Sequence, residues 1–262
     1  EVFAQILRSG FPELVVEPER DTRLWMASYV QTYLERDVRS VKNIANLADF
    51  HRFLMALAAR TAQVLNVSEV ARDIGISVNT ARAWLSVLEA SFQIVLLRPY
   101  YANLGKRLVK SPKLYFLDAA LPAYLTGLFD ARHALLGPMG GALLENAVFG
   151  EIYRAFVHRG QEPRLYFWRT ASGHEVDFIL DLGHQIVPVE VKLTATPKPA
   201  LARNLVKFKE LFGAKVSRAF LVCLAPRSFF LTRDVVALSY RHLYPGDLDS
   251  ENHPDSGNTE PR

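Results

Sequence analysis

The chain has 262 residues, of which 50% are hydrophobic, and its 31 Lys and Arg against 27 Asp and Glu give a formal net charge of +4. Its length and composition predict a soluble globular protein with a substantial core, organised as one large domain or two to three smaller ones. No apolar stretch approaches the roughly 18 residues that would span a bilayer, and the opening segment lacks the features of a signal peptide, so we expect a cytoplasmic protein without a membrane partner.

Residues 1–40 are predicted to form a helical segment. Between Leu24 and Leu34, apolar residues recur at three- and four-residue spacings with charges between them, which is the pattern of an amphipathic helix. The chain opens with Glu1 rather than Met, and its first residues read like the middle of a sequence. We therefore expect a fragment of a longer protein, in which this segment is a remnant or a linker.

Residues 41–100 are predicted to form a winged helix-turn-helix. Ser68 and Ser77 are suitable helix N-caps, Gly75 supplies the turn, and Ala71 permits close helix contact. The expected core residues are Val70, Ile74, Ile76, Ala81 and Trp84. The residues left for DNA on the second helix, which enters the major groove in DNA-binding versions, are Ser77, Asn79, Thr80, Arg82 and Ser86. Because few of these residues are cations, the helix-turn-helix could instead serve an intramolecular contact or oligomerisation. A homo-oligomer is therefore an open alternative.

Residues 101–140 are predicted to be a connector with short strands, because aromatic residues are mixed there with Gly and Pro. Residues 141–244 follow the order helix, three strands, helix, strand, which predicts α/β organisation. The segments are Ala142–His158, Arg164–Thr170, His174–Leu182, Gln185–Leu193, Pro199–Phe212 and Ser217–Leu224. The only cysteine, Cys223, lies in the apolar last segment, which favours a buried structural thiol and excludes a cysteine-based zinc site.

The tail 245–262 is polar and acidic, with too little apolar surface to offset the entropy lost on ordering, so we predict that it is disordered. Its acidic residues are Asp247, Asp249, Glu251, Asp255 and Glu260. The rest of the chain is therefore more basic than the net charge indicates, which permits nucleic-acid binding without requiring it.

A predicted hairpin in residues 173–193 carries the chemistry. Gly183 suits the first central position of a two-residue type II′ turn with His184. Counting outward pairs Leu182 with Gln185, Leu180 with Val187, Asp177 with Glu190, and Glu175 with Lys192. One face is then apolar, with Val176, Phe178, Leu180, Val187, Val189, Val191 and Leu193, and the other gathers Glu175, Asp177, Asp181, Glu190 and Lys192. A one-residue slip would bury the carboxylates, so the alternation supports this register independently.

Two directly opposed carboxylates repel each other unless a positive charge lies between them. Asp177 and Glu190 therefore predict a divalent cation, Mg²⁺ or Mn²⁺, since oxygen ligands suit these ions. Lys192, on the same face, is then placed to polarise a water molecule or to hold a phosphate. The alternative is a solvated outer face on which Lys192 pairs with an acid. Pro188 leaves open a β-bulge near the turn, which would shift the register of the two strands.

The second half of the chain resembles the PD-(D/E)XK signature of restriction-endonuclease-like nucleases. The resemblance rests on Asp177, on the run Glu190-Val191-Lys192, and on the order of the predicted helices and strands around them. The resemblance implies a core of a helix, three antiparallel strands, a crossover helix and a further strand, and it implies Mg²⁺-dependent phosphodiester hydrolysis. The superfamily also includes members without demonstrated cleavage. It further implies a third metal-associated carboxylate on the first helix. Glu145, which lies on an apolar stripe, is favoured for this role over Glu151. Val176 replaces the proline of the signature.

Several segments together resemble the C-terminal region of a prokaryotic AAA+ ATPase family that ends in a nuclease-like domain. They are Ser9–Glu13, Tyr29–Val38, the helix-turn-helix, Lys113–Asp118, and the hairpin. The resemblance implies an ATPase domain upstream, with residues 1–40 as a remnant or linker of its lid. Gly105-Lys106 lacks the other P-loop residues, so we expect no ATPase activity from this chain. Asp118 is expected to be structural.

The expected fold class is therefore α+β or α/β, with a helical and winged helix-turn-helix region before a restriction-endonuclease-like domain. The leading functional hypothesis is a nucleic-acid-binding, Mg²⁺-dependent nuclease-like module with DNA and an AAA+ ATPase domain as partners. The alternative is a non-catalytic DNA-binding or protein-interaction module. A sequence-specific transcription regulator is a third hypothesis, and it rests on the helix-turn-helix alone.

Overall fold

The computed structural model describes residues 1–34, 47–100, 111–170 and 172–243. The chain divides into two compact units, Glu1–Gly150 and Glu151–Arg262. Three sequence-based predictions lie outside the described residues: the disordered acidic tail, the segment 35–38 of the ATPase resemblance, and the missing P-loop at Gly105-Lys106.

The N-terminal region is helical, as predicted, but it consists of short helices instead of one long segment. They are α1 (Val2–Arg8), α2 (Pro12–Val16) and α3 (Thr22–Tyr29), and a π-helical turn follows at Val30–Leu34. Pro12 occupies the first position of α2, where its missing N–H costs nothing. Asp21 caps α3 by accepting a hydrogen bond from the Leu24 N–H at 2.9 Å.

Asp118 has the structural role expected of it. Its Oδ2 accepts hydrogen bonds from the Ser9 hydroxyl and the Gly10 N–H, each at 2.8 Å. Its Oδ1 accepts from the Ala120 N–H at 2.8 Å. One carboxylate thereby fastens the loop after α1 to a segment more than a hundred residues later, with separations of 109 and 108 positions.

The remainder of the first unit combines helices with a small antiparallel sheet. The helices are α4 (Leu47–Ala58), α5 (Val67–Ile74), α6 (Val78–Ala90), α7 (Ala120–Leu125), α8 (Ala131–Leu136) and α9 (Gly140–His158), of which the residues after Gly150 belong to the second unit. The strands are β1 (Gln63–Val64), β2 (Ile94–Leu97) and β3 (Lys113–Phe116), in the spatial order β1-β3-β2. The middle strand β3 thus comes from the stretch that the sequence predicted to be a connector.

The predicted pair of helices joined at Gly75 is present. Gly75 ends α5 with φ 82°, and Ser77 caps α6 by accepting from the Thr80 N–H at 3.0 Å. The prediction of Ser68 as the other N-cap was wrong, because α5 begins at Val67 and Asn66 accepts the Glu69 N–H instead. Of the predicted core, Val70, Ala81 and Trp84 are buried, while Ile74 and Ile76 are partly buried against the same cluster.

The second unit is built on a six-stranded mixed sheet. Its strands are β4 (Leu165–Arg169), β5 (Glu175–Asp181), β6 (Ile186–Val191), β7 (Ala219–Cys223), β8 (Phe229–Phe230) and β9 (Val235–Ser239). The spatial order is β4-β5-β6-β7-β9-β8, with β6, β7 and β9 parallel and the other neighbours antiparallel. The predicted strands are confirmed, whereas β8 and β9 were not predicted.

A crossover helix joins the antiparallel part of this sheet to its parallel part. It is α10 (Arg203–Phe212), preceded by a 3₁₀ turn at Pro199–Ala202, and it packs on β5, β6 and β7. Two residues of this helix, Leu205 and Phe208, are fully buried. Shorter 3₁₀ turns lie at Gly213–Lys215 and Tyr240–His242. None of the helices in the described ranges is long and apolar enough to cross a membrane.

Candidate carboxylate–lysine site

The hairpin β5–β6 has the predicted register near the turn, whereas the predicted pairs Asp177–Glu190 and Glu175–Lys192 lie beyond its last ladder pair. Phe178 pairs with Val189, Ile179 with Pro188, Leu180 with Val187, and Asp181 with Ile186. The Leu182 N–H donates to the Gln185 carbonyl at 2.9 Å, and Gly183 has φ 85°, a backbone conformation that favours glycine. The ladder stays regular at Pro188, so the bulge considered there is absent from this hairpin.

Two carboxylates of the polar face are buried, so the alternative of a solvated outer face does not hold for them, while Glu175, Asp181 and Lys192 are half-buried. Asp177 is 7% exposed and Glu190 is 2% exposed, and every residue of β6 is buried. The cover comes from elsewhere in the chain, since α10 packs on β5 and β6 and β7 pairs along β6. The two carboxylates therefore sit in a setting where an unsatisfied charge is costly.

Asp177 is held by the backbone of the neighbouring strand. The Val191 N–H donates to Asp177 Oδ2 at 2.8 Å, beyond the last ladder pair at Phe178–Val189. The next N–H along, that of Lys192, points the other way and donates to the Val222 carbonyl at 2.9 Å. The side chain of Asp177 thus takes the place of a ladder carbonyl, which fixes the carboxylate at the point where β5 and β6 separate.

Glu190 pairs with Lys192 through only one of its two oxygens. Glu190 Oε1 lies 2.8 Å from Lys192 Nζ, while the buried Oε2 has no hydrogen-bond partner in the described part of the chain. Burial raises the pKa of Glu190, an effect that Lys192 opposes and Asp177 reinforces. The side chain of Lys192 is 36% exposed, so this residue connects the buried carboxylate to solvent.

Two further residues belong to the site and were not predicted. Asn204, near the start of α10, donates through Nδ2 to Glu190 Oε1 at 3.4 Å. Its Oδ1 lies 3.1 Å from Nδ1 of His174, the residue before β5. Thirty positions separate His174 from Asn204, so only the fold brings them together. A polar residue in the first turn of the crossover helix was the one available signal in the sequence.

The first-helix acids Glu145 and Glu151 have other partners. Glu145 Oε1 lies 3.0 Å from Lys113 Nζ and accepts a hydrogen bond from the Tyr115 hydroxyl at 2.5 Å, all within the first unit. Glu151 pairs with Arg154 at 2.6 Å on a largely exposed surface. The structure brings Asp177, Glu190 and Lys192 together in the second unit, and it gives Glu145 an ion pair of its own.

The oxygen atoms of Asp177 and Glu190 are the groups of this site that could bind a divalent cation. Within the described ranges, no three His, Cys, Asp or Glu side chains are grouped so as to hold a metal ion. However, Mg²⁺ commonly uses only one or two carboxylates and completes its shell with water and substrate phosphate. Glu190 Oε2, a buried carboxylate oxygen without a partner in the described ranges, is the kind of donor that such an ion needs.

The predicted nucleic-acid-binding residues are accessible on α6. Ser77, Asn79 and Arg82 are exposed and Thr80 is half-buried, whereas most of the apolar residues of the same helix are buried. The hydroxyls of Ser77 and Thr80 are 2.8 Å apart and hydrogen-bond to each other, so they are less available to a partner. Asn79 and Arg82 are therefore the side chains best placed to contact a partner.

Residues 1–132 match the family model described as "Domain of unknown function (DUF8612)". The chain belongs to this family. Residues 140–243, which include the carboxylate–lysine site, match a second model described as "Domain of unknown function (DUF4143)".

Two similar proteins are the "Uncharacterized protein Mb2031c" of Mycobacterium bovis and the "Uncharacterized protein Rv2008c" of Mycobacterium tuberculosis, each 29% identical over 88% of this chain and 51% of its own length. The chain thus spans about half the length of these relatives. No solved structure matches it.

Proposed function

We propose that the second unit is a nuclease-like module that binds DNA and hydrolyses phosphodiester bonds with Mg²⁺. The observation that carries this proposal is the grouping of Asp177, Glu190 and Lys192, in which one buried oxygen of Glu190 has no partner among the residues that the structure describes. An unpartnered buried carboxylate oxygen is unfavourable by itself, and a cation ligand relieves the cost.

The order of elements from α9 onward supports a restriction-endonuclease-like fold within the proposal. A helix is followed by the antiparallel strands β4, β5 and β6, then by the crossover helix α10 and the parallel strand β7. This is the order that the PD-(D/E)XK resemblance implies. The strands β9 and β8 extend the sheet beyond this core.

Each side chain of the site has a distinct task in the proposed reaction. Asp177 and Glu190 would hold the cation, with Asp177 kept in place by the Val191 N–H. Lys192, partly exposed beside Glu190, would bind a phosphate oxygen and orient the attacking water. Bound Mg²⁺ would supply neutralisation of the charge that develops on the phosphate. The buried position of Glu190 keeps bulk water from screening these charges.

The test is cleavage of linear, single-stranded and branched DNA with Mg²⁺ or Mn²⁺. We expect Asp177→Asn and Lys192→Ala to reduce cleavage by about 100-fold or more, as when a group that stabilises transition-state charge is removed. The matched control is Asp181→Asn on the same strand, because asparagine retains the oxygen that accepts the Gly183 N–H. Wild-type cleavage in both site variants would remove this assignment.

We also propose that the longer protein places this module under the control of an AAA+ ATPase domain. The support is the resemblance of the N-terminal segments and the length of the mycobacterial relatives, of which this chain covers 51%. A full-length protein containing this chain should hydrolyse ATP, and the present 262 residues should not. If neither protein hydrolyses ATP, the proposal that an ATPase domain controls this module is wrong.

A second candidate is a non-catalytic module that binds DNA or a protein through a winged helix formed by α5, α6 and the sheet β1-β3-β2. The observation that favours it is the exposure of Asn79 and Arg82 on α6. Under this proposal, Asn79→Ala and Arg82→Ala should weaken duplex binding measured by fluorescence anisotropy, while Arg72→Ala, an exposed cation on α5, serves as the charge control. Loss of self-association instead of DNA binding would assign the surface to a homo-oligomer.

A further inference from the structure

We propose that Asn204 and His174 are positioning residues that hold Glu190 so that its Oε2 faces the cation. This inference rests on the proposed function, because it names the groups that prepare the carboxylate for the ion. It goes beyond the Asp177, Glu190 and Lys192 cluster by adding a relay of two hydrogen bonds, from His174 to Asn204 and from Asn204 to Glu190.

Hydrogen-bonding chemistry fixes the direction of the relay. An ionised carboxylate only accepts, so Asn204 must present its NH₂ group to Glu190 Oε1. The amide oxygen of Asn204 then faces His174 Nδ1, which must donate. The neutral imidazole is therefore protonated on Nδ1, and the bond to Asn204 selects this tautomer.

The backbone around His174 is held tightly enough for this task. The Thr170 N–H donates to the His174 carbonyl at 2.9 Å, and the His174 N–H donates to the Thr170 hydroxyl at 3.0 Å. Gly173, with φ 86°, closes the same turn by donating to the Thr170 carbonyl. The ring of His174 is thus attached to a closed turn between β4 and β5.

Asn204 is anchored from the other side by the core. Its neighbours Ala202 and Leu205 are fully buried, and so is Phe208 one turn later in α10. The buried face of this helix fixes the backbone from which the amide of Asn204 reaches Glu190. With Oε1 engaged by both Lys192 and Asn204, Oε2 is the oxygen left for a ligand.

Two conservative substitutions distinguish the two nitrogens of His174. The amide nitrogen of asparagine occupies a place equivalent to Nδ1, whereas that of glutamine occupies a place equivalent to Nε2. If His174 acts through Nδ1 on Asn204, His174→Asn retains the relay, and His174→Gln and His174→Ala break it. If His174 acts through Nε2, the order is reversed.

The experiment is calorimetric titration of the 262-residue chain with Mn²⁺, followed by the cleavage assay. We expect His174→Ala, His174→Gln and Asn204→Ala to bind Mn²⁺ about 10- to 100-fold more weakly, the usual loss when a partner of a metal ligand is removed. His174→Asn should stay close to wild type, as should the control His184→Ala, an exposed histidine at the hairpin turn. Thermal unfolding of each variant confirms that it is folded.

The outcomes separate this inference from the proposed function. If wild type binds Mn²⁺ in a manner that Asp177→Asn abolishes, while the His174 and Asn204 variants bind equally well, the relay is wrong and the nuclease proposal stands. If wild type binds no Mn²⁺, both are wrong. The ¹⁵N shifts of the His174 ring give a second readout: protonation of Nε2 instead of Nδ1 in the neutral ring would overturn the relay.

Discussion

The carboxyl group of Glu190 experiences opposing influences on its protonation. Burial raises its pKa most, the Lys192 ammonium lowers it, and the nearby Asp177 raises it again, with a net upward shift. The folded protein therefore keeps this proton to a higher pH than the unfolded chain does. Folding stability attributable to Glu190 is greatest at low pH, and it is lost as the pH rises from the ordinary glutamate range through the raised pKa of the folded state.

The variant Glu190→Gln should reveal this dependence, because glutamine does not ionise. Its free energy of unfolding relative to wild type should increase as the pH rises above about 4.3, the ordinary pKa of glutamate. Urea denaturation at a series of pH values without divalent ions measures the difference. A difference that is constant or that falls with pH would contradict the prediction. Added Mg²⁺ should stabilise wild type and leave Glu190→Gln unchanged.

Glu145 allows a test that separates structure from metal binding. As a partner of the buried Lys113 and of the Tyr115 hydroxyl, it should stabilise the first unit. Glu145→Gln should lower the free energy of unfolding by about 3 kcal/mol, since it removes a negative charge that pairs with a buried cation. Mn²⁺ affinity should remain that of wild type if this role is the only one. A large loss of Mn²⁺ affinity would restore Glu145 as the third ligand that the resemblance implies.

The hairpin β5–β6 shows how much of the site could be predicted from the sequence. Gly183 and the alternation of side chains define the register, and local chemistry alone is sufficient for that. The burial of Asp177 could not be predicted in the same way. It depends on α10 and β7, which follow the hairpin in sequence and reach it only through the crossover. His174 and Asn204 escaped prediction for the same reason.

The parallel part of the sheet was only half predicted. Val235–Ser239 is a short, nearly continuous apolar run, which is typical of a strand buried on both faces. This signal was present in the sequence, and β9 could have been assigned from it. The edge strand β8 has two residues, Phe229 and Phe230, and offers no periodicity to recognise.

The turn between α5 and α6 depends on a left-handed residue. Gly75 has φ 82°, and a Cβ placed there would meet no atom within 4 Å, so the cost of a side chain is conformational and not steric contact. We expect Gly75→Ala to lower the free energy of unfolding by about 1 kcal/mol, and Gly75→Asn to cost less because asparagine tolerates this conformation. Chemical denaturation of the two variants measures the difference. Equal stability of Gly75→Ala and wild type would contradict it.

At the scale of the whole chain, the two family matches follow the two compact units closely. Residues 1–132 lie within the first unit, and residues 140–243 cover all of the described part of the second together with the last residues of the first. The six-stranded sheet and the carboxylate–lysine site belong entirely to the second unit, while the α5–α6 pair belongs to the first. Nucleic-acid binding and phosphodiester cleavage can therefore be tested as separable properties.

Net charge gives a prediction for the chain as a whole. Removing residues 246–262 deletes five acidic side chains and one arginine from a chain of formal charge +4. Because phosphate binding is driven by neutralisation of the nucleic-acid charge, the shortened chain should bind DNA more tightly at low salt. The difference should narrow as the salt concentration rises, since screening shortens the range of the tail charges. Anisotropy titrations at several salt concentrations measure it, and weaker binding after removal would contradict the electrostatic explanation.

The position of Cys223 provides an internal reporter. It is the only cysteine in the sequence, it is fully buried in β7, and burial raises the pKa of its thiol. The residue before it, Val222, accepts the hydrogen bond from the Lys192 N–H. A thiol reagent can therefore modify the native protein only after the sheet opens next to the carboxylate–lysine site. The rate at which the reagent labels Cys223 therefore measures the rate of that opening. A divalent ion bound at Glu190 should lower the labelling rate.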